Sequence, residues 1–318
     1  MGMFLTDDDI DFNSYLAMTE YETKVRDMRL TIDQLIEEEH NPPIDRSTLL
    51  PWPSTLDGFA FRPGEVTVWA GSNGGGKSLM TGQAVLGLLK QGQRCCIASF
   101  EMKPKMTAKR MIRQFAGKSL ESTHYVKTPK QQRIEAYLRF KEFINGNLFV
   151  YDQQGTVDSQ KIEALVWHCA TKLEIDHVVI DSLMKCVSGE DDYNAQKNFV
   201  DKLCSLARDH DIHIHLVHHI RKLSSEEVRP SKTDLRGSSA ITDQVDNVLL
   251  VHRNKRKEHA IAAGRDYDHQ EPDCFLMCEK QRNGEGEPWF DLWYHKDSQQ
   301  FIDRFNGMPM QFDLKGEF

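Results

Sequence analysis

The sequence predicts a mainly parallel, doubly wound α/β sheet, and three observations carry that expectation. Short apolar runs alternate with helix-length stretches from about residue 55 to residue 217. One run feeds a glycine-rich loop, Gly71-Ser72-Asn73-Gly74-Gly75-Gly76-Lys77-Ser78, and a helical stretch follows the loop. Another run, His177–Ile180, ends in Asp181, at the strand edge where α/β folds place their ligands.

Taken in order, residues 14–39 are expected to form one helix. Tyr21, Val25, Met28, Ile32, Leu35 and Ile36 recur there at spacings of three and four, as an apolar stripe that would pack on its own domain or on a neighbouring subunit. Asn41-Pro42-Pro43 stops the helix, and Pro51 and Pro53 mark 40–55 as a linker. The expected division is therefore a segment 1–54, carrying the helix and the linker, and an α/β domain 55–318. Within that domain Val66–Ala70 reads as a strand, 78–90 as a helix and Cys95–Ser99 as a strand. Helices at 104–116 and 129–144, a strand at Leu148–Tyr151 and a helix at 158–172 follow. After His177–Ile180, a helix at 193–209 leads to a strand at Ile212–Val217. Beyond 245 the order changes: Val248–Val251, Phe275–Cys278, Phe290–Tyr294 and Phe301–Phe305 read as successive strands.

Composition narrows the class. The 318 residues suit one large or two modest domains, and 39 % hydrophobic with 28 % charged residues exclude a disordered chain. No apolar run approaches the roughly 18 residues of a membrane span. Seven cysteines without a CxxC pair point to reduced thiols in a cytoplasmic protein. The acidic start lacks the basic character of a targeting peptide. Residues 1–40 hold eleven acids and three bases, which accounts for the whole net charge of −8. The remaining chain is balanced, so the acidic total does not argue against nucleic-acid binding.

The loop satisfies G-x-x-x-x-G-K-[ST] in full. Its backbone N–H groups and the following helix N-terminus suit phosphates, with Lys77 on the β- and γ-phosphates and Ser78 on Mg²⁺. Asp181 supplies the second metal-side acid of an ATP site, and Glu101, just past its own strand, is placed to polarise water as a general base. The strand Ile212–Val217 ends in His218-His219, where a polar side chain can touch the γ-phosphate. His213 and His215 share a strand face, but no Cys or carboxylate stands at ligand spacing to make a metal site with them.

These residues together resemble the hexameric RecA-like replicative DNA helicases: bacterial DnaB, the helicase half of phage helicase–primases, and mitochondrial Twinkle. Five stretches over about 50–305 carry the resemblance. They are the phosphate loop, Ser99-Phe100-Glu101, His177–Asp181, Leu216–His219 with Asp234-Leu235-Arg236-Gly237-Ser238, and Lys280-Gln281-Arg282-Asn283-Gly284. The resemblance implies a RecA-like P-loop NTPase fold using ATP and Mg²⁺. Glu101 would be the catalytic base, Asp181 the Walker B acid and His219 a phosphate sensor. Lys280 and Arg282 would enter the neighbouring subunit's ATP site, and Arg253 and Tyr294 would hold the nucleotide base. The loops 182–194 and 221–239 would line a DNA channel, the second through Arg221, Lys222, Arg229, Lys232, Arg236, Gly237 and Ser238. Implied partners are single-stranded and fork DNA and copies of the chain in a ring, hexameric by family. Primase and polymerase would come from other chains, because there is no room or Cys ligand set for a primase before the phosphate loop. The implied activity is ATP-driven 5′-to-3′ unwinding in a bacterial host cytoplasm. The alternatives are a RecA-like filament-forming recombinase and a non-motor, nucleotide-gated loader.

Overall fold

The computed structural model describes residues 4–17, 27–120, 128–187, 192–237 and 239–313. In chain order the strands are β1 (Phe4–Leu5), β2 (Thr48–Leu49), β3 (Ala60–Phe61), β4 (Val66–Gly71), β5 (Cys95–Ser99) and β6 (Leu148–Tyr151). Then come β7 (His177–Asp181), β8 (His213–His219), β9 (Asn247–Arg253), β10 (Cys274–Gln281), β11 (Trp289–His295) and β12 (Gln300–Ile302). The helices are α1 (Phe12–Ala17), α2 (Met28–His40), α3 (Lys77–Lys90), α4 (Pro104–Ala116) and α5 (Lys130–Ile144). They continue with α6 (Ser159–Lys172), α7 (Tyr193–His210), α8 (Ser239–Gln244) and α9 (Lys255–Ala262).

Every residue of β4, β5 and β7 is buried, as expected for parallel strands covered on both faces. They sit inside a ten-stranded sheet of order β1-β6-β5-β7-β8-β4-β9-β10-β11-β12. Pairing is parallel from β1 across to β9 and antiparallel from β9 to β12. The predicted alternation is thus what forms, and the strands expected after 245 make the antiparallel flank. Two hydrophobic layers enclose the sheet. One packs Leu165, Val166, Phe199 and Leu203 of α6 and α7 on one face; the other packs Met80, Leu86, Met111 and Phe115 of α3 and α4 on the opposite face. Local signals set the helix ends: Asp158 and Asp192 cap α6 and α7 through their carboxylates, and α4 runs from Pro104 to a left-handed Gly117. No helix of the described residues is long and apolar enough to cross a membrane.

The N-terminal region differs from the expectation of one helix over 14–39. Asp27 has extended backbone, and its carboxylate accepts from Arg29 N, so α2 begins afresh at Met28. Tyr21 and Val25 lie outside the described residues. The earlier piece is bound to the sheet. β1 extends it beside β6, Ile10 is buried, and the Tyr15 hydroxyl donates to Glu163 at 2.8 Å. Asp7 accepts from Lys161 at 2.5 Å and from the Tyr151 hydroxyl. The expected linker also ends early. β2 pairs with β3, Leu50 and Trp52 are fully buried, and the Trp52 indole donates to the Phe301 carbonyl at 2.8 Å. A side chain at Gly87 would collide with Pro51, with 2.8 Å between Cβ atoms. Residues 4–17 and 48–55 therefore pack with the α/β body, and the boundary expected after 54 does not coincide with a change in packing.

β7 and β8 bring three histidines together under β3. Trp69 Nε1 donates to His215 Nδ1 at 3.2 Å, so His215 Nε2 carries its proton and donates to His177 Nδ1 at 3.1 Å. His177 Nε2 then donates to Thr48 Oγ1 at 3.3 Å. His213 Nδ1 donates to the Arg62 carbonyl at 2.7 Å, and its Nε2 accepts from Thr67 at 2.9 Å. All six ring nitrogens are engaged, which leaves none for a metal, and Phe61 meets all three rings edge-on. Burial holds the three imidazoles neutral, His213 down to about 4 and the other two well below their ordinary value.

Candidate functional site

Strand register builds the site. Gly71 pairs with His219 across β4 and β8, Ser99 with Asp181 across β5 and β7, and Asp181 with Val217 across β7 and β8. Four C-terminal strand ends thus fall at one sheet edge, the ligand edge of an α/β fold. From it the chain enters the phosphate loop and α3. Gly71 is required by close approach, since a Cβ there would stand 2.5 Å from the Val251 carbonyl oxygen. Gly76, with φ of 93°, takes the left-handed turn that starts α3.

The resulting cleft encloses about 470 Å³ and is lined by the loop together with Lys77, Ser78, Glu101, Asp181 and His219. All five candidate residues read from the sequence for this cleft therefore converge. Lys77 Nζ donates to the Gly71 and Ser72 carbonyls, both at 2.9 Å, and to His219 Nδ1 at 3.2 Å. Burial lowers Lys77 to about 8, against the opposing pull of the Asp181 and Glu101 charges. Burial also brings His219 to about 4, helped by the Lys77 charge, so it is neutral and accepts from that lysine. Ser78 Oγ donates to Asp181 Oδ2 at 2.7 Å. Burial raises the Asp181 carboxyl and the nearby Glu101 adds to this, while Ser78 and Lys77 act the other way. Glu101 is exposed to solvent at the cleft.

Ser78 and Asp181 offer a cation a hydroxyl and a carboxylate, already in contact. An oxygen-only donor pair beside a phosphate loop fits the hard Mg²⁺ ion, which keeps several waters and substrate oxygens as its other ligands.

The structure adds residues that sequence reasoning missed. Arg110 of α4 and Lys185 also line the cleft. The available signal for Arg110 was its place beside the buried positions Thr107, Met111 and Gln114 of an amphipathic helix. Arg253 donates from Nη1 to the Gly74 carbonyl at 3.2 Å and pairs with Glu258 at 2.6 Å. Tyr294 packs on Phe301 at 5.4 Å, whose ring in turn lies 3.0 Å from where a Gly76 Cβ would stand. Both therefore border the phosphate loop.

Lys280 and Arg282 are not among the residues lining their own chain's cleft. Lys280 Nζ donates to the carbonyls of Thr242, Asp243 and Val245 at 2.7, 3.1 and 2.7 Å. Arg282 donates to those of Asp243 and Gln244 and pairs with Asp246 at 3.2 Å. The two cations thus satisfy the carbonyl end of α8.

The loop after His219 is folded onto its own chain. Arg221 pairs with Asp234 at 2.8 Å, and Lys232 with Glu287 at 3.1 Å. The Arg229 guanidinium lies over Phe275 and Trp289, at 4.9 and 5.2 Å. Glu226 reaches Lys255 and Glu227 reaches His259. Arg236 lines the cleft as well as the loop side, a placement the sequence did not suggest. Lys222 is exposed, Gly237 takes φ of 102°, and Ser238 lies outside the described residues, as do residues 188–191 of the other expected channel loop.

Comparison with known proteins fits this geometry. Residues 54–303 match the profile of the DnaB-like helicase C-terminal domain. A DNA helicase/primase of Enterobacteria phage T3 is 25 % identical over 209 residues, covering 61 % of this chain and 36 % of the phage protein. The chain thus spans about a third of that relative's length. A solved ATPase domain superposes with a TM-score of 0.72 at 16 % identity, over 88 % of this chain and 99 % of the other. A solved DnaB-like replicative helicase, described with its primase interactions, gives a TM-score of 0.68 at 15 % identity, over 91 % of this chain and 70 % of the other. At these identities the two structures show a shared fold, a mostly parallel RecA-like sheet with flanking helices.

Proposed function

The chain belongs to the DnaB-like helicase C-terminal domain family, and from that premise we propose that it is an ATP-driven replicative DNA helicase motor. The observation that carries the proposal is the cleft where Lys77, Ser78, Glu101, Asp181 and His219 meet at one strand edge. The loop amides, the start of α3 and Lys77 bind the ATP phosphates. Ser78 and Asp181 would hold Mg²⁺, whose charge, when bound, would offset that of the phosphate oxygens. The Glu101 carboxylate accepts the proton of the attacking water. His219 stays neutral, joins Lys77 to the strand that leads into the loop 220–237, and so links loss of the γ-phosphate to that loop.

Lys280 and Arg282, standing outside their own cleft, complete the cleft of a neighbouring copy, and Arg253 and Tyr294 border the nucleotide base. Copies form a ring, a hexamer by family, around single-stranded DNA. Arg221, Lys222, Arg229, Lys232, Arg236, Gly237 and Ser238 track its backbone in the 5′-to-3′ direction. Phosphate contacts of this kind bring no base specificity. Within the division 1–54 and 55–318, the exposed helix α2 serves assembly, while residues 4–17 and 48–54 stay packed on the motor. Primase and polymerase are its working partners, and the work is done in the cytoplasm.

Unwinding of forked DNA carrying a single 5′ or 3′ tail, with ATP, tests the reading. Strand separation only with the 5′ tail is expected. Helical filaments in place of closed rings in negative-stain images, with no unwinding, would favour a recombinase.

A further inference from the structure

A second, small cavity of about 30 Å³ lies beside the cleft, bounded by α3, α4 and the ends of β5 and β7. Ser99, Thr107, Arg110 and Asp181 are part of its wall. Ser99 is 4 % exposed and Thr107 6 %. The hydroxyl oxygens of both are covered and have no hydrogen-bond partner among the described residues. Buried hydroxyls without a partner are costly, and two lining one cavity call for an explanation. The register sets Ser99 directly opposite Asp181, and the first turns of α4 bring Thr107 to the same cavity. A water needs roughly 10–15 Å³ of such volume and two to four polar partners. At about 30 Å³ the cavity has room for two such waters, three at most, and it offers two hydroxyls and a carboxylate.

We propose that an ordered water binds between Ser99, Thr107 and the Asp181 carboxylate, and that Ser99 and Thr107 are positioning residues for Asp181. The water donates to the carboxylate and completes its hydrogen bonds with the two hydroxyls, whose protons rotate to suit. Ser78 already donates to Asp181 Oδ2, and the water adds a second anchor, which fixes the plane of the carboxylate. Outer groups of this kind orient metal ligands without touching the metal. The inference rests on the reading of Ser78 and Asp181 as the Mg²⁺ pair.

Two readouts test it: crystallographic density in the cavity, and the Mg²⁺ concentration that half-maximally tightens binding of a fluorescent ATP analogue. Thr107→Val keeps the shape and removes the hydroxyl, Thr107→Ser restores it, and Ser99→Ala is the second deletion. Wild-type crystals should show the water. Thr107→Val and Ser99→Ala should each need about tenfold more Mg²⁺, with Mg²⁺-free affinity unchanged and Thr107→Ser close to wild type. A dry wild-type cavity overturns the proposal. So does an unchanged Mg²⁺ requirement in both deletions, or an equal loss of affinity with and without Mg²⁺. Wild-type binding indifferent to Mg²⁺ would overturn the metal pair itself, and the positioning role with it.

Discussion

Glu101 is the residue on which hydrolysis depends in this account, because it is the carboxylate that stands exposed at a cleft whose other members bind phosphate or cation. Glu101→Gln should keep ATP binding and lower turnover by at least about 100-fold; equilibrium binding and steady-state hydrolysis measured side by side check this, and near-normal turnover would contradict the role. Most of the cleft was legible in the sequence, since Lys77 and Ser78 follow the spacing of a phosphate loop and Asp181 ends a short apolar strand run. Arg110 was not, because one arginine on an amphipathic helix has no spacing to distinguish it from a solvated one. The histidine trio was half legible. His213 and His215 alternate on one strand, but His177 joins them only through the β7–β8 register. Buried neutral, all three bind protons in the unfolded chain near pH 6.5 and resist them in the folded one, His213 down to about 4. Stability is therefore expected to fall as pH drops from about 6.5 towards 4. Thermal midpoints across that range check it. In His213→Gln, which keeps a donor for the Arg62 carbonyl and an acceptor for Thr67, the fall should be shallower by about one proton; an identical slope would contradict the assignment.

Among the elements, strands and long helices followed their apolar runs, while the segments that departed were those governed by contacts distant in sequence. β1 exists because β6 offers an edge, and β2 because β3 lies opposite; neither two-residue strand has a pattern of its own. The stripe over 14–39 reads as continuous by spacing alone, yet the Asp27 cap restarts the helix and leaves Ile32, Leu35 and Ile36 about half exposed on α2. The loop after His219 shows the same limit. Its five bases read as one basic run, but ion pairs and aromatic contacts engage Arg221, Arg229 and Lys232 within the chain. Their contributions to DNA binding should consequently differ. Lys222→Ala, at an exposed position with no ion pair among the described residues, should weaken single-stranded DNA binding evenly across sequences and reduce its salt slope by roughly one charge. Lys232→Ala should change the slope less, since its charge already faces Glu287. Affinity titrations at several salt concentrations compare them, and equal slopes would show that the Lys232 pair opens on DNA.

At the scale of the whole molecule, the chain leaves two things unfinished. Among the described residues the apolar stripe of α2, Met28, Ile32, Leu35 and Ile36, has no cover, and Lys280 and Arg282 do not line the cleft of their own chain. A neighbouring copy supplies both in this account. Leu35→Asp should then weaken assembly, seen as a shift to smaller species in sedimentation velocity, with the melting temperature of the fold little changed because the site is already exposed. Unchanged assembly would remove α2 from the interface. The central claim is that the ATP site is shared between subunits, with Arg282 supplying transition-state charge stabilisation, an effect that reaches about 10³–10⁵ in rate for such arginines. The most direct test mixes two inactive variants, Glu101→Gln and Arg282→Ala, and measures ATP hydrolysis after confirmed co-assembly. Interfaces that join the intact Arg282 of one chain to the intact Glu101 of the next should regain activity that neither variant shows alone, whereas co-assembled mixtures as inactive as their parents would contradict the shared site.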